Sequence, residues 1–364
     1  AAGGPYAYTR MAFGDAPGFL VAWGYWLSVV GTLAALAVAF VGYLDPFIPG
    51  VVRSPFAAAA LAVTTIWVVI AINVAGVGVA GRVQVITTAL KVLPLAVVGL
   101  GGLAFVNRDA FAMPAASETS TAAQVIAVIM LTLWAFLGLE CGTIPADSVR
   151  DPARTIPRAT ITGTVLAALV YVVSTIGVMS LVPADALAAS TAPFADGASR
   201  LLGGGAGQLV ALGAAVSCFG ALNGWTLVAG HLPRAVAADG LFPAPFGRLS
   251  GAGVPVPGMV VGGVLGSLLV AMNYSRGLVD LFTFIILLST LSTLVPYVFC
   301  SLAVWLMPGQ PRPAGAAAAV SVLAFVYAMF AIGGAGEETV FYGFLALLAG
   351  LPMYVWLRRA KESA

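Results

Sequence analysis

The chain has 364 residues, of which 61% are hydrophobic and only 8% charged, and its mean hydropathy is +1.04. Soluble domains carry about 25% charged residues, so the composition excludes a water-soluble globule and points to a polytopic membrane protein. The formal net charge of +2 is too small to suggest a nucleic-acid partner.

In chain order, apolar runs long enough to cross a bilayer as a helix fall at about 17–43, 56–79, 83–105, 122–143, 159–182, 205–230, 256–273, 278–306, 314–333 and 339–357. Open backbone finds no partners in hydrocarbon, so helices are the default. The alternating pattern of a membrane barrel is absent. The expected fold is therefore an all-α polytopic membrane protein with about ten spans, and residues 1–364 read as a single transmembrane domain. The opening Ala1-Ala2-Gly3-Gly4 has neither Met nor a signal-peptide pattern, which suggests an incomplete N-terminus.

Basic residues orient the spans. Arg10, Arg82, Arg150, Arg154, Arg158, Arg234, Arg248, Arg312, Arg358, Arg359 and Lys361 fall on one side. Arg53, Arg108, Arg200 and Arg276 fall on the other, and Lys91 lies within a run. The asymmetry places both ends of the chain in the cytoplasm of a cell whose inner membrane holds the protein. The longest polar connections, 144–158 and 231–255, are then cytoplasmic, and the outer stretch 183–204 has room for a short surface helix. Asp280 sits near the outer end of its run, an interfacial position.

Polar residues inside the runs are the candidates for function. Tyr25 and Trp26 are mid-run. Lys91 lies about eight residues into the third run; it either snorkels to the cytoplasmic face or serves as an internal ammonium in a cation site. Glu140 lies within Leu133-Trp134-Ala135-Phe136-Leu137-Gly138-Leu139-Glu140-Cys141-Gly142. An acid there costs roughly 2.5–3.5 kcal/mol on insertion scales, and Gly138 and Gly142 weaken the helix around it. It is either a gate or substrate contact, or a structural acid bonded to neighbouring helices. Trp225 follows Asn223-Gly224, a second glycine-weakened spot, and its depth argues against an interfacial anchor. Cys141, Cys218 and Cys300 lack paired spacing and His231 is the only histidine, so no disulfide, metal site or cofactor is expected. Nor does any phosphate loop, dinucleotide fingerprint or nucleophile–base spacing fall in a plausible context. An enzyme is not expected, and two isolated charges do not suggest the polar rings of a channel.

Several stretches together resemble the amino acid–polyamine–organocation superfamily, in particular its basic amino acid/polyamine antiporter branch. They are Gly3-Gly4-Pro5-Tyr6-Ala7-Tyr8, Leu133 to Glu140, Asp151-Pro152-Ala153-Arg154-Thr155-Ile156-Pro157, Gly224-Trp225-Thr226-Leu227 with Asp239-Gly240-Leu241-Phe242-Pro243, and Thr293-Leu294-Val295-Pro296-Tyr297. The resemblance implies a fold of twelve helices with a five-plus-five inverted repeat. The ten spans would match helices three to twelve, with the first two absent. By motif, Glu140 resembles an acid linked to gating and proton sensitivity, and Tyr25 its gate partner. Trp134 and Leu137 would offer carbonyls to the substrate amine, Trp225 would cover its aliphatic part, and Ser289 would lie near it. Tyr6 resembles a cytoplasmic-side tyrosine implicated in pH response.

Two departures bear on the substrate. Exchangers of arginine and agmatine in that branch have an asparagine where this chain has Leu33, and a tryptophan where it has Val30. Lys91 resembles instead a lysine of proton-coupled transporters in the same superfamily. The expectation is a secondary transporter of amino acids or polyamines by alternating access, exchanging an amino acid for an amine. The alternative is a proton-coupled symporter of neutral amino acids. The implied partners are a small amino acid or polyamine, protons and membrane lipid; a homodimer is compatible with the fold.

Overall fold

Helix α2 (Asp15–Gly42) is the axis of the molecule, and its most apolar stretch is 83% buried. It follows α1 (Gly4–Phe13) after a pivot at Gly14, whose φ of +90° suits a residue without Cβ. The computed structural model describes residues 4–76, 87, 95–106, 121–140, 151–276 and 278–362. Lys91, Cys141 and Gly142 lie outside them.

Beyond a single turn, α3 (Pro49–Val52), helix α4 (Pro55–Val74) starts on a Ser54 cap that accepts the Ala57 N–H, with Pro55 at its first position. Then come α5 (Leu95–Phe105), α6 (Thr121–Trp134), α7 (Pro152–Leu181), the short α8 (Ala184–Ala189) and α9 (Pro193–Leu202), and α10 (Gly204–Ala238). The chain ends with α11 (Val256–Asn273), α12 (Leu278–Ala303), α13 (Ala316–Gly333), α14 (Glu337–Leu348) and α15 (Leu351–Glu362). Among the described residues seven segments are long and apolar enough to cross a membrane, α14 and α15 counting as one, and α5, α6 and α11 are shorter apolar helices. Every one of the ten apolar runs thus contains helix. The stretch 183–204 forms two short helices, α8 and α9.

Helix α2 packs on α12, α10, α4 and α11. Small residues permit these approaches: a Cβ on Gly31 would come within 2.9 Å of Ser289 Cβ on α12, and one on Gly258 within 2.8 Å of the Ala229 carbonyl on α10. Burial then falls outward. The most apolar stretches of α7 and α13 are each only 17% buried. Ile161, Val165, Leu169, Val320, Leu323 and Phe330 face outward, surfaces that hydrocarbon accepts and water does not. This is an all-α polytopic membrane protein.

Candidate functional site

The fourth apolar run breaks where its glycine predicts. Regular helix stops at Trp134, and three tight backbone bonds follow: Ala135 N–H to Thr132 O, Phe136 N–H to Leu133 O and Leu137 N–H to Trp134 O, at 2.9–3.1 Å. Gly138 then takes φ +98°, a left-handed conformation that costs an L-residue roughly 1–2 kcal/mol. Its N–H, which a continued helix would send to Trp134 O, points instead to the Glu140 carboxylate, at 3.1 Å from Oε1 and 3.0 Å from Oε2. Glu140 therefore closes the broken end of its own helix.

Two other helices hold the same carboxylate. The Tyr25 hydroxyl on α2 donates to Oε1 at 2.7 Å, and the Tyr297 hydroxyl on α12 donates to Oε2 at 3.0 Å. Hydrogen bonds to a charged group are the strong kind, and here they compensate for removing a carboxylate from water. Trp225 of α10 lies over the break, and a Cβ at Gly138 would meet its ring at 2.9 Å. The ring of Trp134 packs edge-on against Phe282 at 5.7 Å, and its Nε1 is buried without a hydrogen-bond partner among the described residues. The Ala135 carbonyl accepts from the Tyr171 hydroxyl at 2.9 Å. The Trp134 carbonyl already takes the Leu137 N–H, leaving it one lone pair for a ligand.

The structure thus gathers Tyr25, Trp134, Leu137, Glu140 and Trp225 around one helix break. Ser289 is elsewhere on the α2–α12 seam. It is 1% exposed, donates to the Ser28 carbonyl at 2.8 Å, and adjoins the Thr32 hydroxyl at 3.1 Å; Thr293 also bonds to Ser28. Leu33 and Val30 are likewise closed off from solvent among the described residues. Both are buried, facing Gly262 and Gly266 of α11. Their apolar character therefore answers to helix packing.

Tyr6 lies at the far end of α2, near its first turn. Its hydroxyl donates to Asp239 Oδ2 at 2.7 Å, at the C-terminal cap of α10. Arg10 reaches the same Oδ2 at 2.9 Å and Asp15 at 2.9 Å, and Arg358 joins Asp15 at 3.4 Å. Burial, reinforced by the hydrogen bond and charge of Asp239, pushes the Tyr6 phenol further above its ordinary value, so the phenol stays protonated through physiological pH.

Sequence reasoning missed Tyr297 as a site residue, although it stands directly after Pro296 in a motif it singled out. It also missed a buried amide pair: Asn73 Nδ2 donates to Asn223 Oδ1 at 2.9 Å, two residues before Trp225. Tyr171 and Phe282 gave no signal, because apolar runs contain aromatics everywhere.

These features define a membrane protein built around a helix that stops at Trp134 and a half-buried, hydrogen-bonded acid just beyond it. A family model described as "Amino acid permease" matches residues 1–342, and the chain belongs to that family. It is 29% identical over 357 residues to the putrescine transporter PotE of Haemophilus influenzae, covering 97% of this chain and 82% of that protein. It is 30% identical over 370 residues to the cadaverine/lysine antiporter of Escherichia coli, covering 99% of this chain and 82% of that protein. The putrescine transporter PotE of Escherichia coli is 29% identical over 362 residues, with 97% and 81% covered.

Proposed function

We propose that the protein exchanges a basic amino acid for the corresponding diamine across the cell membrane by alternating access. The observation that carries this reading is the Glu140 carboxylate at the helix break, held by Tyr25 and Tyr297 from two helices, in a chain similar to a cadaverine/lysine antiporter and a putrescine transporter. Glu140 with its two tyrosines acts as a gate. Trp225 closes over the aliphatic part of the substrate. Backbone at Trp134 and Leu137 accepts its ammonium group, as broken helices do in transporters. The excess of Lys and Arg on one side puts both ends of the chain, and the Arg10–Asp239 network, in the cytoplasm. Substrate shifts the balance between states by binding them unequally.

The test is uptake of labelled lysine, arginine and ornithine into proteoliposomes loaded with cadaverine, agmatine, putrescine or nothing, with and without a proton gradient. Uptake that depends on the internal amine supports exchange. Uptake into empty vesicles that collapses with the gradient would establish proton-coupled symport instead.

A further inference from the structure

At the end of α2 away from the Arg10–Asp239 network, a cavity of about 390 Å³ is lined by Asp45, Arg53, Tyr274 and Asp280. That volume falls within the usual range for small-molecule pockets, about 300–1,000 Å³. Its charges come from three separate elements: the turn after α2, the residue capping α3, and the first turn of α12. Among the described residues none of these three side chains makes a hydrogen bond or an ion pair. Asp280 gains from the N-terminal end of α12, but Asp45 has no such compensation. Its Oδ1 is closed off from solvent with no donor facing it. A buried carboxylate oxygen without a partner is destabilising, and the fold holds Asp45 at the cavity wall despite that cost.

The cavity also leads towards the helix break. Thr191 and Val279 line both it and an adjoining apolar cavity of about 180 Å³ that reaches Phe282. Phe282 is the ring packed against Trp134. A molecule in the outer cavity therefore lies one chamber from the residues around Glu140.

We propose that this cavity is an outer recognition site for a basic α-amino acid, in which Asp45 and Asp280 take its two cationic groups and Arg53 its carboxylate. The proposal rests on the exchange reading above and adds a basis for choosing between the two exchanged molecules. Two carboxylates and one guanidinium complement two cations and one carboxylate, and a guanidinium matches a carboxylate in geometry as well as charge. A diamine would satisfy both aspartates but leave Arg53 without an anion, beside the two cations of the ligand. A neutral amino acid would leave one aspartate unpaired. The site thus favours loading of the amino acid over its amine from this side.

The test measures lysine and cadaverine kinetics separately from each face of proteoliposomes of known orientation. In Arg53→Gln the outer-face KM for lysine is expected to rise about tenfold, the scale of one charge-assisted hydrogen bond, with the cadaverine KM unchanged. In Asp45→Asn both outer-face KM values rise. Inner-face KM values stay at wild type in both variants, which shows that they are folded. An unchanged outer-face lysine KM in Arg53→Gln, or equal rises for lysine and cadaverine, overturns the proposal. If the wild type exchanges neither molecule, equilibrium binding of labelled lysine to the purified protein separates the two readings. Two sites in wild type and one in Arg53→Gln would keep the cavity and reject exchange; equal site numbers would reject the cavity.

Discussion

Tyr297 donates its hydroxyl to Oε2 of Glu140 at 3.0 Å, although 157 residues separate them. Tyr25 approaches the other oxygen of the same carboxylate from α2. The acid is therefore the meeting point of α6's broken end with the two helices that make the most extensive contact among the described residues. Below it, Ser28, Thr32, Ser289 and Thr293 continue the polar contact along the α2–α12 seam. A change in the occupancy or protonation of Glu140 would be felt directly by both helices, which is the coupling a gate requires.

Removing one phenol at a time tests that coupling. Hydrogen bonds to charged groups contribute about 1.5–3 kcal/mol, so Tyr297→Phe and Tyr25→Phe should each shift the balance of closed and open states by about tenfold or more. The expected readout is a change in kcat for exchange with little movement in KM. In a Glu140→Gln background the same substitutions should have much smaller effects, because neighbours in one network are not additive. Full additivity would show that the tyrosines act independently of the acid.

Gly138→Ala probes the break itself. The added Cβ would have to accept φ +98° and would meet the Trp225 ring at 2.9 Å. The backbone term alone costs roughly 1–2 kcal/mol. The variant should insert and purify normally but lose most of its transport. Wild-type activity in Gly138→Ala would mean that the break can close into regular helix at no cost.

Much of this arrangement was legible in the residues alone. Ten apolar runs gave the helices because membrane length and hydrocarbon leave so few alternatives. A glycine two residues before an acid in an apolar run marked the break, and both features proved local. Other parts were not legible because they depend on partners distant in sequence. Tyr297 is one aromatic among many until α12 is set against α6. Leu33 and Val30 read as changes in a binding pocket, yet they face the glycines of α11, which no local pattern could foretell. The Arg10–Asp239 pair joins residues far apart in the chain in the same way.

Ser289→Ala distinguishes helix packing from substrate contact at a position where sequence and geometry suggest different emphases. Its hydroxyl is engaged with Ser28 and Thr32 in a buried seam. Interhelical hydrogen bonds in membranes contribute about 0.6 kcal/mol on average and about 1.7 at most. The variant should therefore melt slightly lower in detergent, with substrate KM unchanged. A clear rise in KM without loss of thermal stability would place Ser289 at the substrate in another state of the transport cycle.

The network at the start of α2 yields the last prediction. Arg10 joins Asp15 to Asp239, and Tyr6 supports Asp239 from below the surface. Each ion pair is partly exposed and would contribute only about 0–1 kcal/mol alone, but together they tie α1, α2 and the end of α10. Cys300 lies just behind them, its thiol 3.6 Å from the Pro5 carbonyl and 4.0 Å from the Thr9 hydroxyl. It can therefore report on opening at this end when Cys141 and Cys218 are replaced by Ser. Arg10→Ala should speed maleimide labelling of Cys300 about five- to tenfold, matching the loss of roughly 1 kcal/mol of pairing. Tyr6→Phe should speed labelling less and leave the pH midpoint of transport unmoved, because burial and Asp239 keep the phenol protonated well above neutral pH. A displaced midpoint in Tyr6→Phe would mean that Tyr6 governs the response through its hydrogen bond to Asp239. Unchanged labelling in Arg10→Ala would show that the ion pairs decorate this end of the protein without holding it shut.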